Sequence, residues 1–221
     1  MSQDEKKPLK NNVKPLLKDE LIELGSVWSY NLWNDPKRLA FVLARYKFAA
    51  EMGCKQRIIL ELGCSEGIGS PILGEFAKQY TGIDMDKEAI VSAKKLFGNP
   101  EINFIEDNFL GNRYGTFETV ISLDVIEHIQ PDHESLFFDT IIKNLGSDGI
   151  GIVGTPNLTS VPYASPGSQV GHVNMFSAER LKSTMGHYFH NVFIFGINDE
   201  IVHTGFAAMA HYLICVGCYK K

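Results

Sequence analysis

Short, wholly apolar runs alternate along this chain with longer stretches whose apolar residues recur every three or four positions. Ile58-Ile59-Leu60-Glu61-Leu62, after Arg57, is apolar on both faces apart from Glu61, as expected of a strand covered on both sides. It stops at Gly63-Cys64-Ser65-Glu66-Gly67-Ile68-Gly69 and feeds a helical pattern through Pro71, Ile72, Leu73, Phe76 and Ala77. The unit then repeats. Tyr80 to Asp84 predicts a second strand, and Ile90, Val91, Ala93 and Leu96 predict a helix over Lys87 to Phe97. Ile102 to Ile105 predicts a third strand and Thr119 to Leu123 a fourth. A helix over Glu134 to Asn144 leads to a fifth strand, Gly149 to Gly154. Strands and helices in this alternation predict a parallel sheet with helices on both faces.

The flanks are less regular. Leu39 to Met52 predicts a helix with a broad apolar face, started by Asp35 as cap and Pro36 in the first turn. Trp28, Tyr30 and Trp33 cluster just upstream. After Thr155-Pro156-Asn157, residues 158–173 carry Pro162, Pro166, two glycines and three serines, a loop long enough to suggest function. Ser177 then caps a helix reaching Met185, and two strand-like runs follow, Asn191 to Ile197 and His211 to Val216. Residues 1–20, polar and interrupted by Pro8 and Pro15, predict a flexible lead-in. One domain over 21–221 is expected: a helical cap (21–56), a core (57–157), then a substrate loop and terminal strand pair (158–221).

Composition narrows the class without deciding it. With 221 residues, 44% hydrophobic and 21% charged, the chain is an ordinary globular protein with room for one α/β core. The formal net charge of −5 argues against a grip on long nucleic acid. No run approaches the ~18 apolar residues of a membrane helix. Four scattered cysteines and no recognisable signal peptide predict free thiols in the cytoplasm. Cys215-Val-Gly-Cys218 reads as two small residues of a terminal strand. The oligomeric state, homodimer included, is left open.

The chemistry gathers at strand ends. In open α/β sheets a ligand lies outside the carboxyl ends of the strands. Glu61, Asp84, Asp107 and Asp124 each end one of the first four strands. The glycine-rich turn after the first strand brings backbone N–H groups up to a ligand. Asp84 follows Gly63 by 21 residues, the interval of a carboxylate that accepts from a ribose diol. Asp107 with Asn108 is placed to read an adenine edge, and Met85 either lies against the base or is a half-buried loop residue.

The series Glu61-x-Gly63-x-Ser65-x-Gly67, Gly82-Ile83-Asp84, Glu106-Asp107-Asn108, Asp124-Val125-Ile126-Glu127-His128 and Gly154-Thr155-Pro156-Asn157 resembles the class I S-adenosylmethionine-dependent methyltransferases. Within them it is similar to the ubiquinone-biosynthesis-type and polysaccharide-cluster small-molecule O-methyltransferases. The resemblance implies a Rossmann-like, doubly wound, seven-stranded and mostly parallel sheet with an antiparallel last strand. It implies S-adenosylmethionine as cofactor, with Glu61, Gly63 and Gly67 shaping the methionine pocket, Asp84 on the ribose, and Asp107 and Asn108 on the adenine. Arg45 and Tyr46 are candidates for the cofactor carboxylate; Cys64, Ser65, Met85, Leu123 and Asp124 complete the expected lining. Arg45 reads equally well as a salt-bridge partner.

Ser65 departs from the family, which has glycine there. Gly63-x-Ser65-x-Gly67 also matches the nucleophile elbow of α/β-hydrolases, but the turn follows the first strand and the strand-end acids would have no role. A nicotinamide dehydrogenase would share the ribose acid but would need the Gly-x-Gly-x-x-Gly spacing, which is absent. For an alcohol-type acceptor a histidine is the natural base, and His128 and His172 are the candidates; His203 reads as structural. A small polar acceptor is expected, such as a nucleotide-linked sugar or surface-glycan precursor. Trp28, Tyr30, Trp33, Tyr163 and Phe206 could line its site, and no resident metal is expected. Two alternatives stay open. Asp124-x-x-Glu127-His128 with His172 resembles the metal set of the small-RNA 3′-terminal ribose methyltransferases, with Asp124 in place of a Glu. The chain could also bind the cofactor without catalysing transfer.

Overall fold

Residues 21–221 are described by a computed structural model; the lead-in expected over 1–20 lies outside the described residues. Helices α1 (Ser26–Asn34) and α2 (Pro36–Gly53) precede five strands with three helices among them. These are β1 (Ile58–Leu62), α3 (Ser70–Phe76), β2 (Gln79–Asp84), α4 (Lys87–Phe97), β3 (Ile102–Glu106), β4 (Phe117–Leu123), α5 (Glu134–Asn144) and β5 (Leu145–Pro156). The chain ends with α6 (Pro166–Gly171), α7 (Ala178–Tyr188), β6 (Phe189–Asn198), β7 (Ile201–His203) and β8 (Tyr212–Lys220).

One sheet runs β3-β2-β1-β4-β5-β8-β6-β7. The first five strands are parallel, and β8 lies antiparallel between β5 and β6. That is the expected architecture with one addition. The eighth strand, β7, is three residues long and pairs with β6 in the segment read as a loop. Alternate residues of a strand face opposite layers. Leu60, Leu62 and Val120 accordingly pack under α5 and α7, against Phe137, Phe138 and Leu181. Ile59 and Ile121 face the other way, toward Tyr46, Ala49 and Leu73. Cys215 and Cys218 are β8 residues paired with Val153 and Ile150.

Two local expectations are corrected. Asp35 sits at the start of α2, but its side chain makes no capping bond. Helix α1 falls within the expected helical cap, but its bounds were not anticipated, because it buries none of its residues and so carries no periodic signal. It is held from outside: the Glu66 carboxylate accepts from Val27 N (3.0 Å), Trp28 N (3.1 Å) and Ser26 Oγ (3.3 Å). A carboxylate at a helix N-terminus satisfies free N–H groups and complements the helix dipole.

Strand order reverses between β1 and β4, so the crevice outside their carboxyl ends is the place for a ligand.

Candidate active site

The turn after β1 is shaped by left-handed backbone. Gly63 (φ 82°), Ser65 (φ 48°) and Gly67 (φ 73°) all lie in that region. A Cβ on Gly63 would come within 2.3 Å of the Val125 side chain, so the turn needs glycine there for conformation and for space. Ser65 adopts the same backbone at a cost of about 1 kcal/mol. Asp84 holds it: Oδ2 accepts from Ser65 N at 2.8 Å, while Oδ1 accepts from Asp86 N at 2.9 Å.

Beneath the turn lies Glu61, fully buried. Tyr46 Oη donates to one carboxylate oxygen at 2.7 Å and Tyr80 Oη donates to the other. Burial pushes the Glu61 carboxyl up to about 7, against the pull of the two phenol bonds. Glu61 and Tyr46 therefore brace the loop from below and do not line its ligand face. Cys64 and Leu123 are likewise in the core. Asp107 turns aside, accepting from Tyr114 Oη at 2.7 Å and Asn112 Nδ2 at 3.1 Å.

A cavity of about 470 Å³ opens above the turn. Gly63, Ser65, Asp84, Met85, Asn108 and Asp124 line it, with His128 at one end. Met85 is 72% exposed at its edge, which removes the half-buried alternative. Phe109, Leu110 and Ile129 supply an apolar wall that sequence reasoning missed. Their position directly after the polar residues at two strand ends was the available signal.

A second cavity of about 300 Å³ adjoins the first, sharing Asp124 and His128. Arg38, Phe41 and Arg45 of α2 form one wall, while Ser160, Ser168 and His172 form another. Their segment, expected as a loop, is folded into a 3-10 helix (Leu158–Tyr163) that contains Pro162, and into α6, begun by Pro166. Arg45 Nη1 binds both Asp124 oxygens at 2.9 and 3.1 Å, and its guanidinium lies 3.7 Å over the Tyr212 ring. Arg45 Nε is a buried donor with no acceptor among the described residues. The aromatic candidates fall elsewhere: Tyr30, Trp33, Tyr163 and Phe206 are all exposed, and Trp28 packs on the core.

The histidines converge on this junction. His128 Nδ1 lies 3.0 Å from the Gly171 carbonyl. A carbonyl only accepts, so Nδ1 carries a proton, and in the neutral ring Nε2 then keeps its lone pair. His172 meets His128 edge to face, ring centroids 4.9 Å apart. Burial, then the neighbouring His128, lowers the His172 pKa, which favours its neutral form. Glu127, only 1% exposed, accepts from Thr155 Oγ1 at 3.0 Å; burial, then Asp124, pushes its carboxyl up to about 8. Its backbone oxygen accepts from Val173 N and Asn174 N, which pins the end of the long loop to the end of β4. One ligand atom each from Glu127, His128 and His172 lie within 4.8 Å of one another. His203 stays apart, in local contacts with Asn198 and Gly205.

The residues fit S-adenosylmethionine. The turn offers bare backbone, Asp84 and Asn108 share one cavity with apolar walls, and Arg45 Nε is a buried donor near the junction. Residues 35–188 match the family model described as a methyltransferase domain. The chain belongs to this family, as a class I S-adenosylmethionine-dependent member, and its cofactor is S-adenosylmethionine.

Particular proteins are similar to it. It is 26% identical over 135 residues to a probable S-adenosylmethionine-dependent methyltransferase of Mycobacterium tuberculosis, covering 60% of this chain and 48% of that one. It is 30% identical over 123 residues to the ubiquinone biosynthesis O-methyltransferase of Colwellia psychrerythraea, covering 47% and 49%. The chain thus spans about half the length of these curated relatives. The fold is shared with a possible histamine N-methyltransferase from Thermotoga maritima: TM-score 0.69, 15% identity, 88% and 96% covered. No helix among the described residues is long and apolar enough to cross a membrane.

Proposed function

We propose that this chain is an O-methyltransferase acting on a small polar acceptor of the kind exemplified by a nucleotide-linked sugar or a surface-glycan precursor. The carrying observation is the meeting of the two cavities at Asp124 and His128. S-adenosylmethionine supplies an electrophilic methyl group, and the protein's task is alignment and removal of one proton. Asp84 holds the ribose, Asn108 the adenine, and Arg45 the cofactor carboxylate. His128, with Nε2 bare, takes the acceptor hydroxyl proton, and His172 beside it shares or supports that role. The helical cap and the 158–173 segment close the acceptor side of a single functional unit.

Calorimetry with S-adenosylhomocysteine tests the reading first; no binding sinks it. Binding without turnover on a broad acceptor panel would favour a cofactor-binding protein that has lost its chemistry. His128→Ala should lower turnover about 100-fold, in the range for loss of a positioned base, and His172→Ala by a smaller factor. Cofactor affinity should change little in either. Normal turnover in both variants would remove histidine catalysis.

The convergence of Glu127, His128 and His172 favours a second reading, in which the three hold a divalent ion that engages acceptor hydroxyls. Three protein ligands of mixed carboxylate and imidazole type, with positions left open, suit a catalytic transition metal. Asp124 would not join them, being paired with Arg45. Under the first reading, turnover is expected to be unchanged after EDTA. Loss that manganese or zinc restores would favour the ion.

A further inference from the structure

We propose that the acceptor carries an oxyanion, carboxylate or phosphate, and that Arg38 at the second cavity is its anchor. This rests on the methyltransferase reading above and narrows its substrate.

Helix α2 presents Arg38, Phe41 and Arg45 at i, i+3 and i+7, which places all three on one face. That face is a wall of the second cavity. The two guanidiniums are in different positions. The Arg45 charge is engaged: Nη1 meets Asp124 and the guanidinium stacks on Tyr212, which leaves its buried Nε as the donor assigned to the cofactor. Arg38 has no ion pair and no side-chain hydrogen bond among the described residues. The cavity's two carboxylates do not compensate it, since Asp124 bonds Arg45 and Glu127 is buried against Thr155. An exposed arginine alone would mean little, because water solvates it well. A guanidinium on a cavity wall, with the nearby carboxylates already engaged, leaves a positive charge facing the space an acceptor would fill.

The loop wall adds a matching donor. Ser168 Oγ accepts from Ser165 Oγ at 3.0 Å, so its own proton is free to donate. Ser160, by contrast, spends its proton on the Asn157 carbonyl. Arg38 and Ser168 thus both offer donors to one cavity, and an oxyanion accepts from such groups. The same arrangement disfavours an ammonium acceptor, which would have to enter beside Arg38.

The test uses the full chain saturated with S-adenosylhomocysteine and titrates three probes by calorimetry: D-glucuronate, α-D-glucose 1-phosphate and D-glucose. At least one anionic probe should bind about tenfold or more tightly than glucose, and the tighter of the two identifies the group. Arg38→Gln should remove that preference while leaving affinity for S-adenosylhomocysteine unchanged. Arg38→Lys should keep part of it, because the charge stays but the fork is lost. If neither anion binds more tightly than glucose, or Arg38→Gln keeps the preference, the anchor is wrong although the methyltransferase reading stands. If S-adenosylhomocysteine itself fails to bind, it is the methyltransferase reading that fails.

Discussion

Glu61→Ala should destabilise the protein by about 4 kcal/mol, most of it from two phenol hydroxyls left buried without an acceptor. Tyr46 and Tyr80 both spend their hydroxyls on Glu61, and both rings are almost fully buried, so water cannot replace the carboxylate. The effect should reach the cofactor turn, because the Tyr46 ring packs where a Cβ on Gly69 would come within 2.1 Å. The loss should also depend on pH. Glu61 titrates from 4.5 in its ordinary state up to about 7 in the fold, because burial disfavours its charge. The folded state then holds this proton more tightly than the unfolded state. Its stabilisation is complete below pH 4.5 and fades as pH rises through 7, by up to about 3 kcal/mol. Urea unfolding at pH 5 and pH 8 should therefore show a larger Glu61→Ala penalty at the lower pH. An equal penalty at both would mean that Glu61 is ionised throughout.

The second large effect is on binding. Asp84→Ala is expected to weaken S-adenosylhomocysteine affinity about 100-fold, from two charge-assisted hydrogen bonds to the ribose diol. Part of the loss is indirect. The same carboxylate holds Ser65 N, and Ser65 is a non-glycine residue in left-handed backbone. Without Asp84 the turn keeps only the bonds from Gly63 N and Cys64 N to the Ile83 carbonyl as ties to the end of β2. Asp84→Asn keeps one acceptor and should fall between the two. Unchanged affinity in Asp84→Ala would show that the ribose lies elsewhere.

How much of this was readable from the chain depends on the distance over which each feature is determined. The helices at Lys87–Phe97 and Glu134–Asn144 emerged with the expected bounds, since their periodicity and flanking turns are local. Strand β5 starts at Leu145 rather than Gly149, because Gly146, Asp148 and Gly149 resemble a turn while pairing with β4 extends the strand. Helix α1 depends on Glu66, some forty residues away, and nothing in Ser26–Asn34 announces it. The site divides in the same way. Gly63, Ser65, Asp84, Met85 and Asn108 line the cavity because strand ends converge in any parallel sheet. The turning of Asp107 toward Tyr114, the pairing of Arg45 with Asp124 and the place of Arg38 on the wall of the second cavity are settled by tertiary contacts. Glu127 was visible only as one letter of a motif. Its burial and its two bonds to the far loop exist only in three dimensions.

Those two bonds bear on how such a protein diversifies. The long loop is fastened at its rear by Val173 N and Asn174 N to a backbone oxygen, and the Gly171 carbonyl steadies His128. All three fastenings use main-chain atoms of the loop, so they survive changes in its side chains. Descendants could rewrite Ser160 through Ser168 and shift to new acceptors without retuning the donor cavity. His128 would keep its tautomer throughout.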